Sequence, residues 1–383
     1  MSNSPQQPSI RMVDLKTQYE RLQAEIDPAI QSVINQTAFI NGTFVQDFEA
    51  ELARYLGVKH AIGCGNGTDA LQMALMALDL PKGAEVITAD FTFVASAEVI
   101  LLLGLKPVLV DVDPKTFNLD PKQVEAAITP NTKAIIPVHL FGQAVDMEAL
   151  QAVAQKHQLF MVEDTAQALG ADFHFSNGKT QKLGTIGDIG TTSFFPSKNL
   201  GTMGDGGALF TNDDDLAAKI RLIRNHGMDR QYQYQVAGVN SRLDGIHAAI
   251  LKVKLGHLDD FNHRRQQAAA FYDEGLKDVP GITTPFRSEN STHIFHQYTM
   301  VVDEAKRDAL KEALDAAGVP NKVYYPDGLH DHPVYAENCR FDDAQLSITN
   351  RLKKQVLSLP MHSELSEEQL TYIVEQVKKA MSA

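Results

Sequence analysis

An alternation of short apolar runs with amphipathic stretches restricts the fold of this chain more than any other feature of its sequence. Four apolar runs are short enough to predict buried strands, at residues 85–89, 107–112, 133–138 and 159–162. Amphipathic helical stretches precede and separate them, at residues 44–56, 93–103, 121–128 and 146–157. Parallel strands joined by crossover helices produce this order, so the sequence predicts an α/β fold with a mostly parallel sheet.

The pattern changes after about residue 250. A long helical stretch at 243–276 is followed by further predicted elements: a strand at 297–302, a helix at 304–317, a short strand at 323–325, and helices at 343–353 and 366–381. This order predicts a smaller α+β domain of residues 251–383, attached to a large domain of residues 1–250. Residues 172–188 are polar and contain glycine, so we expect a surface excursion there.

Charge and hydropathy exclude several classes of protein. The formal net charge of −13 argues against a nucleic-acid binder or a membrane-surface protein, because both usually carry a basic patch. No segment reaches the roughly 20 uninterrupted apolar residues of a membrane helix, and the polar N-terminus lacks the apolar core of a signal peptide. We therefore expect a cytoplasmic protein, with Cys64 and Cys339 as unpaired thiols.

Ligands of open α/β sheets gather at the carboxyl ends of the strands, and three segments with chemical potential lie at such ends. The first is the glycine-rich turn of residues 63–71, which opens a helix. Free amides at a helix N-terminus attract phosphate, and Gly67 and Thr68 stand at that point. A plain strand-to-helix turn is the alternative. The segment has neither the GxGxxG spacing nor a Walker lysine, which disfavours a dinucleotide or P-loop site.

The second and third segments contain an acid and an amine. Asp164 directly follows a predicted strand; it is either a helix cap or, beside a cationic heterocycle, a partner for a pyridine nitrogen. Lys198 lies in SFFPSKNLG, followed by GDGG, where partial burial would lower its pKa; the alternative is a solvated surface lysine. Ser193 supplies a hydroxyl that could reach a phosphate. The residues alone thus indicate an anion-binding α/β enzyme with an amine nucleophile.

In this order and spacing the segments closely resemble the DegT/StrS family of nucleotide-sugar aminotransferases, which depend on pyridoxal 5′-phosphate (PLP). The marker SFFPSKNLG with GDGGA is the most specific, and NGTDAL and EDTAQALGA support it. The resemblance extends from residue 14 to residue 362. It implies the aspartate-aminotransferase fold (PLP fold type I), with a large domain and a smaller C-terminal α+β domain.

The resemblance also implies roles for individual residues. Lys198 matches the lysine that carries PLP as a Schiff base, and Asp164 matches the acid paired with the pyridinium nitrogen. The remaining matches are Gln167 beside the ring hydroxyl, Phe93 stacked on the ring, and Gly67, Thr68 and Ser193 around the phosphate. Without the resemblance, Phe93 is a helix-face core residue.

A second subunit enters through Asn240, which matches an asparagine that reaches the phosphate of the neighbouring protomer. The resemblance therefore implies a homodimer with two shared active sites. A turn residue is the alternative for Asn240. His226 also fits a family segment, and a loop-stabilising role is as good a hypothesis for it as substrate contact.

Within the family, the NGTDAL, NSRLD and FTFVASAE segments are most similar to aminotransferases that act at C-3 of UDP-linked 2-acetamido-2-deoxy-3-keto-glucuronic acid. Arg242 would then bind the sugar carboxylate, with an ion pair to an acid such as Asp244 as the alternative. Tyr325 keeps its family position before a substrate loop. Tyr324 replaces the histidine that relatives often have, which leaves the exact sugar contacts open.

The implied reaction uses glutamate as amino donor, and the cofactor alternates with pyridoxamine 5′-phosphate (PMP) while Lys198 moves the protons. The product would be an amino sugar for a surface polysaccharide such as lipopolysaccharide O-antigen. Aminotransferases for C-4 keto sugars or keto-cyclitols remain the main alternative. A PLP-dependent sugar dehydratase would have histidine in place of Lys198, a non-catalytic regulator would lack Lys198 or Asp164, and a nicotinamide-dependent oxidoreductase would need its glycine fingerprint.

Overall fold

A computed structural model describes residues 8–382 of the 383-residue chain; the first part of the polar N-terminus discussed above lies outside them. The strands are β1 (His60–Cys64), β2 (Glu85–Ala89), β3 (Lys106–Val110), β4 (Thr132–Ile136), β5 (Phe160–Asp164), β6 (Asp172–His174), β7 (Thr180–Lys182), β8 (Ile189–Ser193), β9 (Gly207–Thr211), β10 (Met228–Arg230), β11 (Gln233–Tyr234), β12 (Ile282–Thr283), β13 (Tyr298–Val302) and β14 (Val356–Leu359).

Seven of these strands form one large sheet, in the order β1-β9-β8-β5-β4-β2-β3. Strand β9 is antiparallel to both of its neighbours, β1 and β8, and the other pairs are parallel. The prediction of an α/β fold with a mostly parallel sheet is therefore confirmed. The carboxyl ends of β5 and β8 are adjacent in this order, which brings Asp164 and Ser193 to the same edge of the sheet.

Both faces of the sheet are covered, which explains why its strands are continuously apolar instead of alternating with polar residues. In β2, all five residues are buried. Val86 packs into the hydrophobic cluster on one face, and its neighbour Ile87 packs into the cluster on the other face. Since successive side chains of a strand point to opposite faces, this arrangement requires helices on both sides.

The helices are α1 (Leu15–Gln36), α2 (Thr43–Leu56), α3 (Gly67–Ala77), α4 (Ala95–Leu102), α5 (Pro121–Ala127), α6 (Met147–His157), α7 (Asp214–Arg224), α8 (Gly245–Leu255), α9 (Leu258–Leu276), α10 (Glu304–Ala316), α11 (Pro333–Asn338), α12 (Ser347–Gln355) and α13 (Glu367–Met381), with 3₁₀ turns at Leu140–Gly142, Leu329–Asp331 and Asp343–Gln345. The predicted strands and helices between residues 44 and 162 are correct to within two residues at each end.

A three-stranded sheet, in the order β12-β13-β14, stands at the centre of the C-terminal part of the chain. Tyr298 and Met300 of β13 and Leu357 of β14 pack into a hydrophobic cluster together with residues of α9, α10 and α13. This part therefore has a core of its own. The domain boundary at residue 250 stays a prediction.

Two predictions for the C-terminal part are wrong. The helical stretch at 243–276 is two helices, because hydrogen bonds at Gly256 and His257 reach back three residues instead of four and end α8 before α9 begins. Residues 323–325 form no strand. Only Lys322 pairs with the sheet, through Ser358, and the tyrosines that follow leave its edge to line a cavity. Strand β14 was not predicted, and the helix predicted at 343–353 is a 3₁₀ turn followed by α12.

The expected surface excursion at 172–188 is only partly polar surface. Strands β6 and β7 form a hairpin there, and the side chains of Phe173 and Leu183 are fully buried in the main core. The stretch is folded onto the protein because these apolar residues alternate with the polar ones that dominate its composition. Cys64 and Cys339 are buried free thiols. Among residues 8–382, no helix has both the length and the apolar character needed to span a membrane.

Candidate active site

A cavity of about 990 Å³ opens at the carboxyl ends of the central strands. Its wall brings together eight of the residues singled out from the sequence: Gly67, Thr68, Phe93, Asp164, Gln167, Ser193, Lys198 and Tyr325. They come from segments that are far apart in the chain. Seven of them end or follow strands of the large sheet, and Tyr325 follows β13 in the C-terminal part. The topology of the sheet therefore assembles the site.

Lys198 sits in a tight turn between β8 and β9. The backbone N–H of Lys198 donates to the Phe195 carbonyl at 2.8 Å. The side-chain amide of the neighbouring Asn199 donates to the Ile294 carbonyl at 3.2 Å. Burial lowers the pKa of the Lys198 amine to about 8, although the charge of Asp164 acts in the opposite direction. Among the described residues, the Lys198 amine makes no hydrogen bond. It is therefore an accessible nucleophile with a much larger neutral fraction than a surface lysine.

Asp164 is the last residue of β5 and is buried. One carboxylate oxygen accepts the Ala166 backbone N–H at 3.0 Å, and the other accepts the Ser96 hydroxyl at 3.2 Å. Burial raises the pKa of Asp164, while the Ala166 N–H and the charge of Lys198 oppose that rise. Such a carboxylate is strongly stabilised by any cationic group that enters the cavity beside it.

The glycine-rich turn after β1 forms a close-fitting cradle. Asn66 caps α3 by accepting the Asp69 backbone N–H at 2.8 Å, so the first amides of the helix face outward. Gly67 has no side chain for a steric reason, since a Cβ there would lie 2.6 Å from the Ser193 Cβ. The cradle thus combines helix amides, the Thr68 side chain and the Ser193 hydroxyl, a set that suits a phosphate.

Phe93 lies two residues before α4, and 54% of its surface is exposed. The reading of Phe93 as a core residue on a helix face is therefore wrong. Beside it, the buried Thr92 hydroxyl has no hydrogen-bond partner within residues 8–382. An exposed aromatic ring and an unpartnered hydroxyl in one cavity wall are typical of a ligand site.

Gln167 and Tyr325 form another part of the cavity wall. The Gln167 side-chain oxygen accepts the Phe141 backbone N–H at 2.7 Å, and its amide nitrogen donates to the Tyr325 hydroxyl at 3.3 Å. Burial raises the pKa of Tyr325, so its hydroxyl is neutral at physiological pH. The Tyr325 ring packs edge-on against Phe91 at 5.9 Å between centroids. These contacts fix both polar groups before any ligand binds.

Three other predicted residues, His226, Asn240 and Arg242, lie on the segment 225–242 and do not line the cavity. The segment folds back on itself, since the His226 backbone N–H donates to the Val239 carbonyl at 2.8 Å and Asn225 pairs with Asn240. His226 and Asn240 are exposed. Arg242 donates to the Asn225 side chain at 3.1 Å, and within the described chain it forms no ion pair with Asp244.

The sequence did not point to several residues in and around the cavity wall. Ser96 does not line the cavity but is buried and bonded to Asp164, and its only signal was its place near the start of a helix. His296 is buried beside the cavity; burial and the charge of Lys198 hold its pKa well below its usual value. No motif surrounds His296. It also comes from the C-terminal part of the chain, far in sequence from the strand ends that supply Lys198 and Asp164.

Comparison with known proteins agrees with this geometry. The sequence profile of the DegT/DnrJ/EryC1/StrS aminotransferase family matches residues 20–378. The chain is 47% identical to UDP-2-acetamido-2-deoxy-3-oxo-D-glucuronate aminotransferase of Pseudomonas aeruginosa over 95% of its own length and 98% of the relative's. It is 48% identical to a pleiotropic regulatory protein of Geobacillus stearothermophilus, with 96% and 98% of the two chains covered. A dTDP-3-amino-3,4,6-trideoxy-alpha-D-glucose transaminase of Streptomyces venezuelae is 39% identical, with 99% and 98% covered.

Solved structures give the same result for the fold. DesV from S. venezuelae, in complex with a ketimine intermediate, superimposes with a TM-score of 0.93 at 39% identity, covering 98% of this chain and 99% of DesV. NtdA from Bacillus subtilis, with bound PMP, gives a TM-score of 0.88 at 30% identity, covering 100% of this chain and 86% of NtdA. The expected PLP-aminotransferase fold is confirmed. The chain belongs to the DegT/DnrJ/EryC1/StrS aminotransferase family and is a PLP-dependent sugar aminotransferase.

Proposed function

We propose that Lys198 holds PLP covalently, that Asp164 pairs with its ring nitrogen, and that the cavity aminates a UDP-linked keto sugar. The observation that carries this proposal is the presence of an amine and a carboxylate, both desolvated, in one cavity. Burial lowers the pKa of Lys198 to about 8 and raises the pKa of Asp164. A neutral amine can attack the cofactor aldehyde, and a buried carboxylate favours a protonated ring nitrogen beside it.

The other residues of the wall fit the rest of the cofactor. The close approach of Gly67 to Ser193 brings the N-terminus of α3 next to the Ser193 hydroxyl, which suits the cofactor phosphate. The exposed ring of Phe93 offers a flat face for a pyridine ring, and Gln167 is fixed where a ring hydroxyl needs a donor. We therefore assign Gly67, Thr68 and Ser193 to the phosphate, and Phe93 and Gln167 to the ring.

When bound, PLP supplies an electron sink that makes the Cα–H bond of an amino acid acidic. Lys198 would take the proton from Cα once the amino donor has displaced it, and would return a proton on the other side of the exchange. Asp164 would keep the ring nitrogen protonated throughout. Tyr325 would remain a neutral hydrogen-bonding group, because its pKa is raised by burial.

For the substrate, we propose UDP-2-acetamido-2-deoxy-3-keto-glucuronic acid, with glutamate as amino donor. The relative from P. aeruginosa, whose name contains this sugar, supports the proposal at 47% identity. Arg242 supports it as well, because its guanidinium is held by a neutral amide instead of a carboxylate and so keeps its charge available. Tyr325 and His226 would provide further sugar contacts. The product would serve surface polysaccharide synthesis in the cytoplasm.

We also propose a homodimer in which segment 225–242 completes the site of the partner subunit. His226, Asn240 and Arg242 are candidates for contact with cofactor or substrate, yet they lie outside the cavity of their own chain. A second copy of this chain is the simplest source of an active-site cavity that these three residues could line. Asn240 would then reach the phosphate, and Arg242 the sugar carboxylate, across the dimer interface.

The test is an assay of purified protein with glutamate against UDP- and dTDP-linked keto sugars and keto-cyclitols. We expect glutamate to bleach the yellow PLP form and only the UDP-linked 3-keto-glucuronic acid to be aminated efficiently. Turnover of a 4-keto sugar or a cyclitol alone would reject this substrate. A protein that never exchanges amino groups would instead act as a regulator, as the name of the Geobacillus relative suggests for that protein.

The role of Arg242 can be tested by combining two changes. Arg242→Gln removes the guanidinium, and a substrate without the carboxylate removes its proposed partner. Arg242→Gln should raise KM for the 3-keto-glucuronic acid, but leave KM for the uncarboxylated UDP-linked 3-keto sugar almost unchanged. An equal rise for both substrates would mean that Arg242 has a structural role. Arg230→Gln, on the same segment, is the matched control.

A further inference from the structure

The cavity wall formed by residues 323–332 has no sheet to hold it. Tyr324, Tyr325, Pro326, Asp327, Leu329 and His332 all face the cavity, and the structure between Lys322 and α11 contains only a 3₁₀ turn. A segment without a strand or a long helix owes its position to individual contacts. Its position matters, because side chains of this segment line the same cavity as Lys198 and Phe93.

One buried pair joins this wall to the large sheet. The Asp90 carboxylate, fully buried at the end of β2, accepts the His330 Nδ1–H at 2.7 Å and the His330 backbone N–H at 2.9 Å. The Leu329 backbone N–H donates to the Asp90 carbonyl at 3.1 Å. Three hydrogen bonds therefore link Asp90 to two consecutive residues of the wall. Such charge-assisted bonds are about twice as strong as neutral ones.

The chain around the pair is shaped for this contact. A Cβ at Gly328 would lie 2.5 Å from the Asp90 carboxylate, so the wall approaches Asp90 more closely than any other residue would allow. The Gly328 backbone N–H donates to Asp331 at 2.8 Å, and Asp331 is paired with Lys353 at 2.7 Å. The turn that presents His330 is thus fixed at both ends.

Asp90 also leads directly into the neighbouring stretch of the wall. It immediately precedes the segment 91–94, in which Thr92 and Phe93 line the cavity. A shift of His330 against Asp90 would therefore move the 323–332 wall relative to this stretch. Lys198 has supports of its own in the turn after β8, and Asp164 is held by Ala166 as well as by Ser96.

We propose that His330 is a positioning residue, and that its pairing with Asp90 sets the position of the 324–332 wall on the sugar-binding side of the cavity. This inference rests on the proposed function, since it assigns the 324–332 wall to the sugar substrate. Lys198, Asp164 and the phosphate cradle lie at the ends of the sheet strands and do not belong to this wall. Loss of the pair should therefore weaken sugar binding selectively.

The charges around His330 give the pair a pH dependence. The hydrogen bond to Asp90 raises the pKa of His330, with burial acting against it. Asp331 and Asp343 face the other ring nitrogen at 3.5 and 3.7 Å, and Lys353 is the nearby opposing charge. Below the raised pKa the imidazolium and the Asp90 carboxylate form an ion pair; above it the neutral ring still donates a hydrogen bond to the carboxylate, but the ion pair is lost. KM for the sugar should therefore rise as pH increases through the pKa of His330.

Two variants of the holoenzyme test the proposal. His330→Phe keeps a ring but removes the donor, whereas Asp90→Asn can still accept the backbone N–H and can donate to a neutral His330. His330→Phe should raise KM for the UDP-linked keto sugar about tenfold to a hundredfold, with unchanged conversion of the PLP form by glutamate. Asp90→Asn should keep the low KM but lose its pH dependence. His157→Phe removes a histidine–carboxylate pair far from the cavity and is the matched control.

A second measurement is independent of turnover: NMR titration of His330 should give a pKa above the usual 6.5, and Asp90→Asn should lower it. The inference is overturned if His330→Phe leaves the sugar KM unchanged, if KM for glutamate rises equally, or if His330 titrates normally. If His330→Phe does not fold, the pH profile of Asp90→Asn decides in the same way. Failure of the unaltered protein to convert with glutamate would instead reject the proposed function.

Discussion

The residues at the strand ends and those on segment 225–242 differ in how far a single chain determines their surroundings. Lys198 and Asp164 lie in one cavity of the single chain, where Asp164 and Gln167 are already hydrogen-bonded in place. His226 and Asn240 are exposed on a segment that is internally ordered, and neither of them lines the active-site cavity of its own chain. The strand-end residues thus have their site within one chain, whereas segment 225–242 can contact a cofactor or substrate only in a site of another molecule.

The largest expected effect is that of Lys198→Ala. Turnover should fall by at least about 10³-fold, because the variant loses both the nucleophile and the proton carrier. Lys254→Met is the matched control: burial lowers the pKa of Lys254 to about 8 as well, but its amine donates to the Gly201 carbonyl and does not line the cavity. Product formation per folded molecule is the measurement. Full activity of Lys198→Ala would show that the amine at the strand ends takes no part in the mechanism.

Asp164→Asn should reduce kcat on the order of 10²-fold, since a neutral amide no longer favours a protonated ring nitrogen. Binding of PLP should survive, because the phosphate contacts are unchanged. Stopped-flow absorbance during the reaction with glutamate measures the effect. A variant with normal kcat would show that the carboxylate is only a structural cap for Ala166 and Ser96.

Gly67→Ala should weaken PLP binding about tenfold, because the new Cβ would overlap Ser193 and overpacking of this kind typically costs 1–3 kcal/mol. Fluorescence titration of the apoprotein with PLP gives the affinity. Gly256→Ala is the control, since its Cβ would meet only the Val253 carbonyl at 3.4 Å. Equal affinities for both variants would place the phosphate elsewhere.

The smallest expected effect is the recovery of activity when subunits of two inactive variants are mixed. It tests most directly whether segment 225–242 serves the partner subunit. Neither Lys198→Ala nor Asn240→Asp should be active alone, because Asn240→Asp places a carboxylate against a phosphate. Mixed dimers contain one intact site if segment 225–242 serves the partner, so a random mixture should regain about a quarter of the normal activity. No recovery would mean that Asn240 acts in its own chain or not at all.

The sequence predicted the large sheet well because its signal is local. Buried parallel strands are short and wholly apolar, and the residues that end them, such as Asp164, fall at the cavity by topology alone. Lys198 and Gly67 were found for the same reason. Their motifs are continuous in sequence, so one segment carries both the backbone turn and the functional side chain.

The C-terminal wall could not be predicted in this way. Residues 323–325 have the β-branched and aromatic composition of a strand, but Tyr325 contacts Phe91 and Gln167, which are remote in sequence. Phe173 was missed because its neighbours are polar, and its burial depends on tertiary packing. His296 and Ser96 carry no motif. In each case a long-range contact overrides the local pattern.

The reversed strand β9 has a consequence for how the chain acquires its structure during synthesis. β1 pairs only with β9, from His60 opposite Thr211 to Cys64 opposite Gly207, so it must wait until the other five strands of the sheet have been made. Until then the segment that leads into the phosphate cradle has no partner strand, and late pairing of this kind is slow and exposes the strand to aggregation. The nascent chain is therefore expected to complete its own part of the phosphate cradle only after residue 211 has left the ribosome.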